Sequence, residues 1–186
     1  MTTPPLHRRP VLAIIGNAGK LSDAQRDAAF ALGRAAVDAG FRIVSGGMDG
    51  VMLAAAQGAH ASSNYREGDT IGIGKAIDCQ SLNAWIDVAI PTGLGFARNM
   101  LVVATGDVVA AVGGGSGTLS EIALAWQIGR PVLAYTGAGG WAEQLAGTAL
   151  DHRSEQTIEA FSDVEALVEH AHNIVLETRQ RGMEAP

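Results

Sequence analysis

The sequence predicts an α/β protein: a single domain built on a doubly wound, mostly parallel sheet with helices on both faces. Three observations predict it. Short β-branched apolar runs such as VLAIIG and DVVAAV are continuous rather than alternating, the pattern of strands covered on both faces. They alternate with longer segments of helical character, so neighbouring strands are joined by crossovers whose right-handedness winds the sheet open. Glycine-rich stretches fall where strands pass into helices, which is where such sheets hold ligands. Together these describe a Rossmann-like domain over residues 11–181, with a flexible N-terminus at 1–10 and a flexible C-terminus at 182–186.

The elements follow in order. Val11–Gly16 reads as a buried strand. Ser22–Gly40 is a helix, with Ser22 a fitting N-cap and Gly40 closing it. Phe41–Gly47 is a second strand and Val51–Ala61 a second helix. Asp69–Gly74 and Ala84–Pro91 are further strands. A helix over Gly95–Gly106 precedes the strand DVVAAV (Asp107–Val112), and a helix runs from Thr118 to Gly129. Arg130–Gly137 is another strand. The chain ends with a short strand, TIEAF, and a charged amphipathic helix from Asp163 to Arg181.

Composition narrows the function. A chain of 186 residues with 47% hydrophobic content and mean hydropathy +0.16 is long enough to bury one core. Net charge is −6, without a dense Lys/Arg patch, so no nucleic-acid partner is expected. Cys79 is the sole cysteine, which excludes an intrachain disulfide and a multi-cysteine zinc site. No protein-bound metal is expected. His170 and His172 point to different helix faces, and His60 and His152 lack partners at ligand spacing. Asp107 splits the longest apolar stretch, so no membrane span is expected. The apolar run after MTTPPLHRRP is too short for a secretory core, which makes the cytoplasm the expected location.

Three glycine loops remain. GNAGKLS (Gly16–Ser22) is not a nucleoside triphosphate loop. Two residues separate its glycines where four are needed, and Leu21 stands where a magnesium-ligating hydroxyl should. It reads as a tight turn near a ligand, starting at Gly16. In SGGMDGVM, Gly46 and Gly47 allow close backbone approach, with a plain turn as the equal alternative. VGGGSGTLSE (Val112–Glu121) lacks the third glycine of the dinucleotide fingerprint. It does offer bare amides at Gly114, Gly115, Ser116, Gly117 and Thr118, two hydroxyls and a helix N-terminus, which together favour a bound phosphate. Thr118-x-x-Glu121 is also a capping box, in which Glu121 would reach back to the helix start. The residues alone leave Glu121 open between that role and chemistry.

These motifs resemble the superfamily of the Lonely Guy phosphoribohydrolases, often mislabelled lysine decarboxylases. That family carries PGG-x-GT-x-x-E, with an Arg upstream in R-K-x-x-M. Here GGGSGTLSE matches from Gly114 onward, Arg98 lies on FARNML at the family's separation from Glu121, and SGGMDGVM looks like GGG-x-x-GLMG. The resemblance spans about Val11 to Val132. It implies a catalytic pair, Arg98 and Glu121, beside a phosphate site at the glycine loop. The implied reaction is hydrolysis of a nucleoside 5′-monophosphate to base and ribose 5-phosphate, without a cofactor. A carboxylate there would stabilise an oxocarbenium-like charge or activate water. It also implies at least a homodimer. Gly113 replaces the family's Pro, Asn99 its Lys and Ser120 a frequent Glu. This wording is closer to a sister branch that includes a molybdenum cofactor carrier, which implies a phosphorylated pterin as cargo and no turnover. A pyridoxal decarboxylase needs a Schiff-base lysine, and neither Lys20 nor Lys75, the only lysines, has a fitting partner set.

Overall fold

The computed structural model describes residues 8–152 and 156–184; residues 1–7 and 185–186 of the two termini expected to be flexible lie outside them. Seven strands form one sheet: β1 (Val11–Gly16), β2 (Arg42–Ser45), β3 (Thr70–Gly74), β4 (Val88–Pro91), β5 (Val108–Val112), β6 (Val132–Tyr135) and β7 (Glu159–Phe161). Their order is β4-β3-β2-β1-β5-β6-β7, and every pair is parallel. The chain winds outward from β1 to β4, then returns to lay β5 on the other side of β1. Winding therefore reverses between β1 and β5, whose ends meet at Gly16 opposite Val112. Ligands of open α/β sheets sit just beyond such a reversal.

Six helices cover the two faces: α1 (Asp23–Asp38), α2 (Val51–His60), α3 (Asn99–Thr105), α4 (Ser116–Gln127), α5 (Gly140–Leu145) and α6 (Val164–Glu184). Side chains alternate along each strand, so one run feeds two cores. Leu12 and Ile14 of β1, with Val108 and Ala110 of β5, pack against α1, α2 and α6. Ala13 and Ile15, with Val109 and Ala111, pack against α3, α4 and α5. That double duty is why these strands read as unbroken apolar runs. The α1–α2 contact needs glycine, since a Cβ at Gly33 would lie 1.9 Å from the Ala55 carbonyl oxygen. Among the described residues, no helix is long and apolar enough to cross a membrane.

Several expected boundaries move for physical reasons. The Ser22 cap is present as a full capping box with Gln25. The strand expected from Ala84 starts only at Val88, because the residues before it form a polar turn. There Asn83 Oδ1 accepts from Trp85 N–H, and the Asp87 carboxylate accepts from Gly68 N–H, Thr70 N–H and the Tyr65 hydroxyl. The helix expected from Gly95 opens as a 3-10 turn, Gly95–Arg98, with Gly95 at φ +55°. The last helix extends to Glu184, and Asp163 accepts from Ala166 N–H at its start. Arg8 and Arg9, at the end of the expected flexible start, are held by Asp107 and Asp69. Helix α5 has no counterpart in the sequence reading: six residues give no period to read, and two positive-φ glycines, Gly139 and Gly140, precede its body.

Candidate functional site

The β5–α4 turn is built on glycine geometry. Gly113 and Gly114 have φ of +62° and +104°, a left-handed region that other residues rarely enter. Two neighbours hold the turn. Asn17, just after β1, accepts from Gly114 N–H at 3.2 Å. Helix α5 begins against it, with Trp141 and Ala142 N–H donating to the carbonyls of Gly114 and Gly113. Gly140 allows this approach, since a Cβ there would lie 2.4 Å from the Gly113 carbonyl carbon. Gly16 permits the ends of β1 and β5 to close up, its own Cβ position lying 2.6 Å from Val112 O.

Helix α4 starts at Ser116, two residues earlier than expected, with Gly115 as its N-cap and no side chain capping it. This overturns the capping-box expectation. Thr118 sits at the third helical position rather than at the cap, and Glu121 does not reach back. Gly115, Ser116 and Gly117 are exposed, so the first amides and the positive end of the helix dipole face open space. Thr118 is buried, and its Oγ1 has no hydrogen-bond partner.

Glu121 instead turns to Arg98. The guanidinium Nη1 donates to Glu121 Oε1 at 2.9 Å and to Asn99 Oδ1 at 2.7 Å. Asn99 Nδ2 donates to Ser120 Oγ at 2.8 Å, and Ser120 Oγ donates to the Gly117 carbonyl at 2.7 Å. A continuous chain of hydrogen bonds thus links the acid–base pair to the first turn of α4. Burial pushes the Glu121 carboxyl up to about 7, while the adjacent Arg98 charge pulls the other way. A carboxyl so poised gains or releases a proton near neutrality. Arg98 Nε is buried without a partner.

These groups line one cleft of about 260 Å³, with Asn17, Met48, Met52 and Phe96 completing its walls. Past Ser116 and Gly117 it adjoins an apolar groove of about 540 Å³ bounded by Phe96, Ala123 and Leu124. Phe96 is 78% exposed, with Lys75 Nζ lying 5.9 Å from its ring centroid.

Of the candidate site residues, Gly16, Arg98, Gly115, Ser116, Gly117, Thr118 and Glu121 line one cleft. Gly114 lies behind them as the hinge of the turn. Gly46 and Gly47 do not line the cleft. Gly46 leaves room for Arg98, since a Cβ there would lie 2.4 Å from Nη2, and Gly47 packs under Leu82. Trp126 packs in the core with Ile122. Asn17, Met48, Met52 and Phe96 escaped the sequence reading. Only Asn17 left a signal, as the residue directly after the strand that ends at the reversal. Among the described residues, no cluster of three or more His, Cys, Asp or Glu side chains is suited to hold a metal ion.

Comparison with known proteins adds relatives to this geometry. The model of the SLOG cluster4 family matches residues 9–171. A curated but uncharacterised protein of Archaeoglobus fulgidus is 35% identical over 124 residues, covering 65% of this chain and 76% of that one. Among solved structures, the molybdenum cofactor binding protein of Rippkaea orientalis superposes with a TM-score of 0.79 at 31% identity, covering 91% of this chain and 99% of that chain. The molybdenum cofactor carrier protein of Chlamydomonas reinhardtii gives 0.75 at 28% identity, covering 90% and 99%.

Proposed function

The chain belongs to the SLOG cluster4 family, and from that premise we propose that it binds a phosphorylated pterin, the molybdenum cofactor, as cargo. The observation that carries the reading is the uncapped start of α4 beside the buried, unpartnered hydroxyl of Thr118. A phosphate accepts hydrogen bonds from such amides and such a hydroxyl together. The rest of the cleft fits a flat ring system attached to that phosphate. Met48 and Met52 supply adaptable apolar contact, and Phe96 offers a face for stacking. The adjoining groove of about 540 Å³ extends the space beside the cleft along Phe96, Ala123 and Leu124. Two structural relatives, a molybdenum cofactor binding protein and a molybdenum cofactor carrier protein, support the same class of ligand.

A second reading rests on the Arg98–Glu121 pair: hydrolysis of a nucleoside 5′-monophosphate. The raised Glu121 carboxyl suits proton transfer near neutral pH, and its ionised form would stabilise positive charge developing on ribose. One experiment separates the two. Protein purified from a host that makes molybdenum cofactor is oxidised and assayed for fluorescent pterin, while a panel of purine nucleoside monophosphates is assayed for released base. The carrier reading expects pterin approaching one per chain and no free base. Free base without recovered pterin would replace it with the hydrolase. The homo-oligomer implied by the resemblance is part of this proposal, and light scattering on the purified protein reads it.

A further inference from the structure

A second cavity lies at the other end of the sheet, where the strands begin rather than end. It measures about 250 Å³ and is lined by Arg8, Asp107, Arg130, Val175, Thr178 and Arg179. Arg8 and Asp107 precede β1 and β5, Arg130 precedes β6, and the other three lie on α6. The length of β1 separates this cavity from the cleft, about 20 Å at ~3.3 Å per residue. No small ligand spans both.

Among the described residues, three arginines and one carboxylate, Asp107, line this space. That carboxylate is already used. Asp107 accepts from Arg8 Nη1 and Nη2 at 3.0 and 2.5 Å, and from Val11 N–H at 2.9 Å. Among the described residues, the other two arginines donate to backbone carbonyls alone. Arg130 Nη2 donates to Ala104 O at 3.2 Å, and Arg179 Nη2 donates to Arg8 O at 2.7 Å. A carbonyl satisfies one of a guanidinium's five donors and leaves its charge uncompensated. Arg130 Nε is also buried without a partner. In a chain of net charge −6, a half-buried Arg130 and an exposed Arg179, neither paired with a carboxylate among the described residues, line one cavity. Their planar forks are the geometry that oxyanions bind, two parallel N–H groups at a time.

We propose that this cavity is an anion site, separate from the cleft, for a small oxyanion carrying at least two negative charges, bound between Arg130 and Arg179. The phosphoryl group and the dicarboxylate share this chemistry, and inorganic pyrophosphate and succinate serve as probes for them. The cleft is silenced first with Gly115→Asp. A Cβ there meets no atom within 4 Å, and the added carboxylate repels anions from the start of α4. Calorimetric titration of that protein at constant ionic strength then reads the arginine cavity alone.

At least one probe is expected to bind the Gly115→Asp protein, at least tenfold tighter than it binds the same protein carrying Arg130→Gln and Arg179→Gln. Arg130→Lys with Arg179→Lys, which keeps charge but loses the fork, should fall between them. Amide NMR of the unaltered chain supplies an arm that no variant's folding affects: the probe should shift Asp107 and Thr178. Equal affinity with and without the two arginines, or shifts absent from those residues, overturns the proposal. Loss of cofactor binding with this site intact would refute the cleft reading only.

Discussion

Arg98 and Glu121, 23 residues apart, meet through a single 2.9 Å hydrogen bond with 5% and 8% of their side chains exposed. Desolvation outweighs the attraction of the pair at Glu121 and holds a proton on it up to about 7. Removing charges from water costs more than one close partner restores unless the remaining donors and acceptors are satisfied. Here Arg98 Nε is not. The pair is therefore a place where stability is spent on a site, and four outcomes follow from its surroundings.

The first concerns pH. In the unfolded chain Glu121 titrates at its ordinary value of 4.5, and in the native state at about 7. Between these values the native protein holds a proton that the unfolded chain has released. Stability from this group is complete below about 4.5 and is lost as pH rises through 7, by about 3 kcal/mol in all. Denaturant titrations at about pH 5 and pH 8 should show that loss in the parent protein and not in Glu121→Gln. Parallel behaviour of the two proteins would disprove it.

Thr118→Val removes a buried hydroxyl that has no partner while keeping the shape of the side chain. An unsatisfied buried hydroxyl costs roughly 1–3 kcal/mol. The variant should unfold about 1 kcal/mol harder and bind phosphorylated ligand about tenfold more weakly, the opposed pair of effects expected where a residue serves binding. Calorimetry with pterin phosphate and thermal melting of the same samples test it. A less stable variant with unchanged affinity would give Thr118 a structural role alone.

Asn99 and Ser120 both depart from the wording of the phosphoribohydrolases, and their side chains touch at 2.8 Å. The two departures are thus one exchange, a neutral hydrogen bond where that wording has a Lys and a frequent Glu. Asn99→Lys alone sets an ammonium beside Arg98 and should destabilise. Adding Ser120→Glu should recover about 1–3 kcal/mol of coupling in a double-mutant cycle. Additive effects in denaturant melts would show the two positions to be independent.

Gly113→Pro restores the proline of that wording but conflicts with this backbone. Proline holds φ near −65°, and Gly113 sits at +62°. The substitution should cost more than ~1 kcal/mol and weaken phosphate binding, because Gly114 N–H would leave Asn17. A variant as stable as the parent, with intact binding, would mean that the turn tolerates another path.

Much of the fold was legible because a strand buried on both faces must be apolar throughout, and β1 and β5 are. The Ser22 cap was legible because a serine directly before a helical run is a local signal; its capping box with Gln25 came only with the structure. Helix α5 was not, because what holds it is the pair of carbonyls at Gly113 and Gly114, far away in sequence. The same limit governed the site. Val112–Glu121 showed its bare amides and helix start in the sequence, since these are local properties. Glu121, read locally, satisfied a capping box equally well.

Local sequence thus determined the strands, most helices and the chemistry offered at the β5–α4 turn. Only the packing of α3 against α4 decided that Glu121 pairs with Arg98 and that Asn99 meets Ser120. It also decided that Gly46 makes room for the guanidinium rather than for a ligand. A hydrogen bond chooses its partner by distance, and for residues tens of positions apart that distance exists only once the sheet has brought their elements side by side.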